Sequence, residues 1–283
     1  FSPSNTLPLP TPSPTQTLTI PLDNASAYLE RGDAKFILGD YEGAIADYDQ
    51  AISLSPDDAE AYTNRGFAKK ALGDYEGAFA DYDHAIRLDP NSAYAYNNRG
   101  NSKKALGDYE SAITDFDHAI SLNPDFASAY NNRGLAKANA GDVTNAIVDF
   151  DHAINLNPDF ADAYTNRGFA KFILGDYEGA LADYDQVIAR DPDYINAYMN
   201  RGMAKYNLGD YEGEIADYDH AISLNPDFSE AYINRGVAKD NLGDYGGALS
   251  DYQKYIELEG EANAPDGVLE RITELETYLG VGD

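Results

Sequence analysis

A unit of 34 residues repeats seven times along this chain, and this period restricts the fold more than any single residue does. In one register the copies begin at Ala25, Ala59, Ala93, Ala127, Ala161, Ile195 and Ser229. Each copy contains two amphipathic stretches that are separated by a Gly-Asp or similar pair. Because a period of about 20 to 50 residues with two helices per unit is typical of stacked helical hairpins, the sequence predicts an all-α solenoid.

Turn and cap residues recur at fixed places and predict where the helices end. A glycine should end each first helix in the left-handed conformation, and the aspartate after it should cap the second helix. These pairs are Gly39-Asp40, Gly73-Asp74, Gly107-Asp108, Gly141-Asp142, Gly175-Asp176, Gly209-Asp210 and Gly243-Asp244. In the last copy Gly260 replaces the proline that follows the other second helices, and residues 265–279 then predict an amphipathic helix that caps the stack.

The chain divides by composition into an arm (residues 1–24), seven repeats (25–262) and a C-terminal capping helix with a tail (263–283). The arm is rich in Pro, Ser and Thr and has no charge before Asp23, which favours an extended backbone. Leu18, Ile20 and Leu22 alternate with polar residues, as in a segment that docks with one face on a surface. A flexible spacer is the other interpretation of the arm.

The charge balance excludes several classes of partner. The net charge is −29, with 49 acidic and 20 basic residues, so nucleic acid and anionic membranes should repel the chain. No apolar run reaches the roughly 18 residues that a membrane helix needs, and we expect no membrane insertion. The chain has no cysteine, which excludes disulfides and thiolate sites. It begins at Phe1, which we interpret as processing of an exported or cell-surface protein in preference to a trimmed cytoplasmic one.

Nine residues of the second copy recur at a characteristic spacing. They are Tyr62, Gly66, Leu72, Gly73, Tyr75, Ala78, Tyr82, Ala85 and Pro90. This pattern resembles the signature of the tetratricopeptide repeat (TPR) family, with tyrosine in the usual tryptophan place. The resemblance implies a right-handed superhelix whose concave groove is lined by the first helices and holds extended peptides or helices. It also implies no catalysis and no cofactor.

Every copy departs from the family by carrying Arg and Lys four residues apart in its first helix. These pairs are Arg31/Lys35, Arg65/Lys69, Arg99/Lys103, Arg133/Lys137, Arg167/Lys171, Arg201/Lys205 and Arg235/Lys239. Every second helix supplies an aspartate, namely Asp47, Asp81, Asp115, Asp149, Asp183, Asp217 and Asp251. We predict a repeating ion pair between the two helices of each copy, worth about 0–1 kcal/mol if exposed. A basic stripe that binds an anion is the alternative.

The candidate binding site is a row of asparagines, one per copy, with apolar neighbours on the same helix face. An amide donates and accepts at once, so it can pair with the backbone of an extended peptide. The predicted groove consists of Asn64, Asn98, Asn132, Asn166, Asn200 and Asn234 together with Phe67, Leu135, Phe169, Met203, Val237, Phe172 and Tyr206. The alternative is that these amides only bond neighbouring helices.

The sequence predicts no catalytic, metal-binding or cofactor-binding residues. The four histidines His84, His118, His152 and His220 lie a whole repeat apart, too far for one metal ion. Acid pairs such as Asp81 and Asp83 recur along the chain, whereas a catalytic pair needs one special environment. We therefore expect that the chain is not an enzyme.

Two functional hypotheses remain, and both concern binding to a protein or peptide. In the first, the chain assembles with itself, because the arm of one copy docks in the groove of the next and builds an oligomer or fibre. In the alternative, the chain is a monomeric scaffold or assembly factor whose groove binds an extended peptide of another protein.

Overall fold

The structure is a computed structural model that describes residues 24–281. These residues form helices and one short 3₁₀ turn, with no strand among them, so the predicted all-α class is confirmed. The chain separates into two compact units, of which unit 1 ends at Pro90 and unit 2 begins at Asn91. The predicted docking residues Leu18, Ile20 and Leu22 lie outside the described residues.

Unit 1 contains two helical hairpins, and unit 2 contains five hairpins and a terminal helix. The helices of unit 1 are α1 (Ala25–Ile37), α2 (Tyr41–Leu54), α3 (Ala59–Ala71) and α4 (Tyr75–Leu88). Those of unit 2 are α5 (Ala93–Ala105), α6 (Tyr109–Leu122), α7 (Ala127–Asn139), α8 (Val143–Leu156), α9 (Ala161–Ile173), α10 (Tyr177–Arg190), α11 (Ile195–Leu208), α12 (Tyr211–Leu224), α13 (Ser229–Asn241), α14 (Tyr245–Glu259) and α15 (Val268–Leu279). The odd-numbered helices up to α13 are the first helices of the repeats.

The predicted turn and cap residues define the hairpins. All seven glycines between paired helices have positive φ, from 77° to 91°, which only glycine adopts without strain. The aspartate that follows accepts a hydrogen bond from the backbone N–H three residues on, as Asp176 does from Gly179 at 3.0 Å. This bond satisfies a free donor at the start of the second helix.

The core of each hairpin is a large ring of the second helix against a glycine of the first. In the fourth repeat the ring of Phe150 is 1 % exposed and packs against Gly134. A Cβ added at Gly134 would lie 2.7 Å from the Phe150 ring, so a larger residue would force the helices apart. Ala146 packs beside Phe150, and Ala170 of the next first helix completes the cluster. The helices therefore approach closely, and their polar side chains come within bonding distance.

Helix α15 packs on α14 at the C-terminal end of unit 2. Leu275 is buried against Ala248, Leu249 and Tyr252. The helix begins at Val268, three residues after the predicted start at Pro265, because Gly267 takes the left-handed conformation. The helical spacing of the apolar residues predicts that Leu269 and Leu279 also face the stack, but both are exposed. The capping helix thus covers α14 along a narrower apolar stripe than the sequence predicts.

The first helices from α5 to α11 also touch one another in succession. Helix α5 contacts α7, α7 contacts α9, and α9 contacts α11, whereas no comparable contact joins successive second helices in the described part of unit 2. Because equivalent elements approach more closely on the inside of a curved stack, the first helices form the inner side of unit 2.

Candidate functional site

Each hairpin is joined by an ion pair in which one aspartate binds both an arginine and a lysine. In the fourth repeat, Arg133 Nε and Nη2 lie 3.0 and 2.6 Å from Asp149 Oδ2 and Oδ1, and Lys137 Nζ lies 2.8 Å from Oδ2. The same three-residue arrangement, here called the hairpin ion pair, occurs in all seven repeats. The predicted pairing between first and second helices is therefore confirmed.

The expectation that these pairs are exposed is wrong for the aspartates. The Asp149 side chain is 1 % exposed, because the close glycine–ring interface brings it between the helices. In the second repeat and in the fourth to seventh repeats, the arginine also reaches a second, exposed aspartate of the preceding repeat, as Arg133 Nη1 reaches Asp117 Oδ1 at 2.6 Å. Burial opposes the charge of Arg133, but its bonds to the two carboxylates prevail and raise its pKa. All fourteen cations have a carboxylate partner, which leaves no basic stripe for an anion.

The row of asparagines is half-buried, and three of its members already bind a neighbouring first helix. In unit 1, Asn64 Nδ2 donates to Asp33 Oδ1 at 3.0 Å. In unit 2, Asn132 Nδ2 donates to Asn97 Oδ1 at 3.1 Å, and Asn166 donates to Asn131 at 2.9 Å. For these three amides the structure has the bonds between helices that the alternative interpretation predicts.

The other three amides, those of Asn98, Asn200 and Asn234, make no side-chain hydrogen bond within residues 24–281. The physical reason is visible for two of them. The residue 35 positions before Asn200 is Thr165, whose hydroxyl is bonded to Ala161 O, and the residue 35 positions before Asn234 is Met199. Neither supplies the amide oxygen that Asn97 and Asn131 supply. The side of the first helices of unit 2 that carries the row Asn98, Asn132, Asn166, Asn200 and Asn234 is called the amide face below.

The apolar residues of the predicted groove differ in their surroundings. Phe67 belongs to unit 1, where its ring stacks on Phe36 with centroids 4.9 Å apart. Leu135 packs against the buried core of its hairpin and the next. Phe169 is 48 % exposed and lies parallel to Phe172 at 6.4 Å. Of these, Phe169 is the side chain with a large free apolar surface on unit 2.

The remaining predicted residues meet at one cavity of unit 2. Its volume is about 220 Å³, and its lining residues are Phe172, Met203, Tyr206, Asn207, Glu214, Tyr218, Asn234 and Val237. Five of these belong to the predicted groove, and they come from α9, α11 and α13. Tyr206 and Val237 are 41 % and 38 % exposed, so the cavity is open on that side. The structure thus brings the free amide of Asn234 next to an apolar cavity.

Three lining residues, Asn207, Glu214 and Tyr218, were not predicted from the sequence, and Glu214 is the unusual one. It is 2 % exposed, and its Oε2 has no hydrogen-bond partner. Burial raises the pKa of Glu214 to about 7, while the Tyr218 hydroxyl bound to it lowers the pKa and the nearby Asp210 raises it further. A signal was present in the sequence, because the same place holds alanine in the other six repeats, at Ala44, Ala78, Ala112, Ala146, Ala180 and Ala248.

Residues 24–281 contain neither a metal-binding cluster nor a membrane-spanning helix. No cluster of three or more His, Asp or Glu side chains in this part of the chain has the geometry to hold a metal ion. Among the described helices, none combines the length and the apolar character needed to cross a bilayer.

The chain matches family models along most of its length. The model described as TPR repeat matches residues 32–73, 68–107, 100–141, 138–175 and 170–209, and two models described as tetratricopeptide repeat match 195–228 and 217–250. No curated protein matches the chain.

Solved structures of TPR proteins resemble the fold. YrrB, described as a TPR protein with an unusual peptide-binding site, is 25% identical over 65% of this chain and 95% of its own, with a TM-score of 0.54. MamA is 27% identical over 57% of this chain and 94% of its own, with a TM-score of 0.50. A TPR protein from Parabacteroides merdae, 19% identical over 89% of this chain and 98% of its own, has a TM-score of 0.62 and shows the fold alone.

The seven repeats, their hairpin geometry and these matches lead to one assignment. Proteins of this type are generally non-catalytic scaffolds that bind proteins or peptides. The chain belongs to the tetratricopeptide repeat family.

Proposed function

We propose that the chain is a non-catalytic scaffold that binds an extended peptide of another protein on the amide face of unit 2. The observation that carries this proposal is the pair of free amides at Asn200 and Asn234 on consecutive first helices, of which Asn234 lines an open apolar cavity. A polar group that is half-buried and unbonded is available to a ligand backbone at little desolvation cost. The described peptide-binding site of YrrB, a relative at 25% identity, supports the same use of the fold.

The geometry of an extended peptide suits these two amides. Helices α11 and α13, which carry the two amides, both pack on α12, so the amides lie on neighbouring first helices. An extended peptide advances about 3.3 Å per residue and can span neighbouring helices with a few residues. Two hydrogen bonds at about 1 kcal/mol each are far below the 8.2 kcal/mol of a micromolar complex. The apolar side chains Phe169, Met203 and Val237 would supply the rest by burying apolar surface.

A peptide-display selection on the full chain, followed by affinity measurements on end-blocked synthetic peptides, tests the proposal. We expect the double change Asn200→Ala and Asn234→Ala to weaken binding by about 2 kcal/mol, roughly 30-fold, while the fold is unchanged. Asn132→Ala is the matched control, since its amide is already bonded to Asn97, and it should leave the affinity unchanged. Selected peptides that bind the double variant as tightly as the wild type would contradict the proposal.

The self-assembling alternative gives the same face a different occupant. It is favoured by the arm, whose uncharged residues and alternating Leu18, Ile20 and Leu22 suit an extended ligand. In that case, removal of residues 1–22 would convert an oligomer or fibre into a monomer. Light scattering of the full and shortened chains measures this directly, and assemblies that persist without the arm would exclude the alternative.

A further inference from the structure

Glu214 occupies a repeat position that holds alanine in the other six copies. The six alanines at this repeat position are fully buried between helices, and none has a polar atom in its side chain. Glu214 is buried to the same degree but extends to the lining of the cavity. A buried carboxyl group with one unpaired oxygen is costly, and a ligand or a proton can satisfy that oxygen.

No cation of the chain satisfies Glu214. The nearest basic residues on α11, Arg201 and Lys205, both bind Asp217, at 2.5 and 2.8 Å. Lys205 also donates to Gly213 O at 3.1 Å, so its ammonium group has a second partner besides Asp217. Asp210 adds a like charge, and Tyr218 offers a neutral hydroxyl. The other lining residues from α9, α11 and α13 include one further titratable group, the phenol of Tyr206.

The walls of the cavity suit a flexible aliphatic stem that ends in a positive charge. Phe172, Tyr206 and Tyr218 present aromatic rings, and Met203 and Val237 present apolar surface. Basic side chains bury their methylene stems along such surface, and aromatic faces attract the cation at the end. The net charge of −29 adds a long-range attraction for cationic ligands.

We propose that this cavity receives a lysine side chain of the bound peptide, whose ammonium group pairs with Glu214 Oε2. One free oxygen matches a point donor such as an ammonium, whereas a guanidinium binds best when two carboxylate oxygens are free. The inference rests on the proposed function, because the cavity adjoins Asn234 on the amide face. It adds a specificity to that function: the peptide carries a lysine beside the segment that pairs with Asn200 and Asn234.

A preference for lysine also distinguishes the two ligands considered for the amide face, the arm of another copy and a peptide of another protein. Residues 1–23 contain neither lysine nor arginine, so the arm has no side chain that fits this cavity. A lysine-bearing segment of another protein does fit. The cavity therefore favours the scaffold hypothesis over self-assembly through the arm.

The test uses n-butylammonium, which reproduces a lysine side chain, and methyl NMR of Met203 and Val237 in the full chain. We expect saturable shifts with the wild type, and binding weaker by about tenfold or more for Glu214→Gln and for the neutral probe n-butanol. Glu214→Ala should lose binding equally, and it installs the residue of the other six repeats, so it should fold. Glu212→Gln removes an exposed acid of the same helix, changes the net charge equally, and should bind as the wild type does.

Several results would overturn the proposal. These are unchanged binding by Glu214→Gln, the absence of any shift with n-butylammonium, and binding of n-butanol as tight as that of the ammonium. Tighter binding of n-propylguanidinium would overturn the assignment to lysine. If display-selected peptides with and without lysine bind equally and still require Asn200 and Asn234, this inference fails while the proposed function holds. If no peptide binds but n-butylammonium does, the proposed function fails and so does the lysine of a bound peptide, and the cavity is left as a site for small alkylammonium ions.

Discussion

Two surfaces of the repeats carry recurring polar residues, but the contacts of those residues differ. One surface is the interface between the two helices of a hairpin, and the other is the amide face of unit 2. At the interface, Arg133 meets Asp149 in the same way as its equivalents meet theirs. On the amide face, Asn132 and Asn166 are bonded while Asn200 and Asn234 are free. Arg133 and Asn132 are consecutive in sequence, so the difference arises from their partners.

The partners explain the difference in physical terms. Both ends of the hairpin ion pair lie in one repeat and recur together, so the contact is present wherever the repeat is present. The acceptor for each asparagine lies in the preceding repeat, at a position that holds Asn97 and Asn131 but also Thr165 and Met199. A recurring residue thus has a recurring structural role only where its partner recurs too. Where the partner changes, a polar group is left for a ligand.

The largest expected change in stability comes from the buried hairpin ion pair. Asp183→Ala should lower the free energy of unfolding by about 3 kcal/mol, since it leaves two largely buried cations, Arg167 and Lys171, without their shared partner. Asp185→Ala, in the same helix, removes a carboxylate that is 57% exposed and also bonded to an arginine, and should cost below about 1 kcal/mol. Urea unfolding measures both, and equal losses would show that burial is not the deciding factor.

An intermediate change in stability is expected when the pH is varied, because Glu214 is a buried acid. The usual pKa of a glutamate is 4.5, and the pKa of folded Glu214 is about 7. At pH values between these two, folded Glu214 holds a proton that the unfolded chain releases. The free energy of unfolding of the wild type should therefore fall as pH rises through this window, by about 1 kcal/mol per pH unit relative to Glu214→Ala. Groups that both chains share, including Asp210 and Tyr218, cancel in the difference. Parallel stability curves for the two chains would contradict a raised pKa.

The smallest expected changes in stability concern the bonded and the free asparagines of the amide face. Asn132→Ala should cost about 1–2 kcal/mol, because the buried oxygen of Asn97 loses its donor. Asn200→Ala removes an unbonded amide and should change the stability by less than about 0.5 kcal/mol. Thermal or urea unfolding of the two variants decides this point. Similar losses would mean that Asn200 is bonded in solution.

Most of the fold could be predicted from the sequence, since its determinants are local and repeated. Glycines with positive φ, aspartate caps and the period of 34 residues locate the hairpins without reference to distant contacts. The end of the stack was less predictable. Gln253, which stands where the other repeats have a second acid, donates to Glu276 Oε1 of α15 at 3.0 Å. Because α15 presents a glutamate at this point, an amide can donate to it where a carboxylate could not.

The sequence by itself determined the family, the helix boundaries and the pairing of Arg and Lys with Asp, because each of these depends on residues within one repeat. Only the tertiary structure decided which asparagines are free, how deeply the aspartates are buried, and that Glu214 lines a cavity with an unpaired oxygen. Those properties depend on distances between side chains of different helices. Such distances are set by how closely glycine, alanine and aromatic residues allow neighbouring helices to pack.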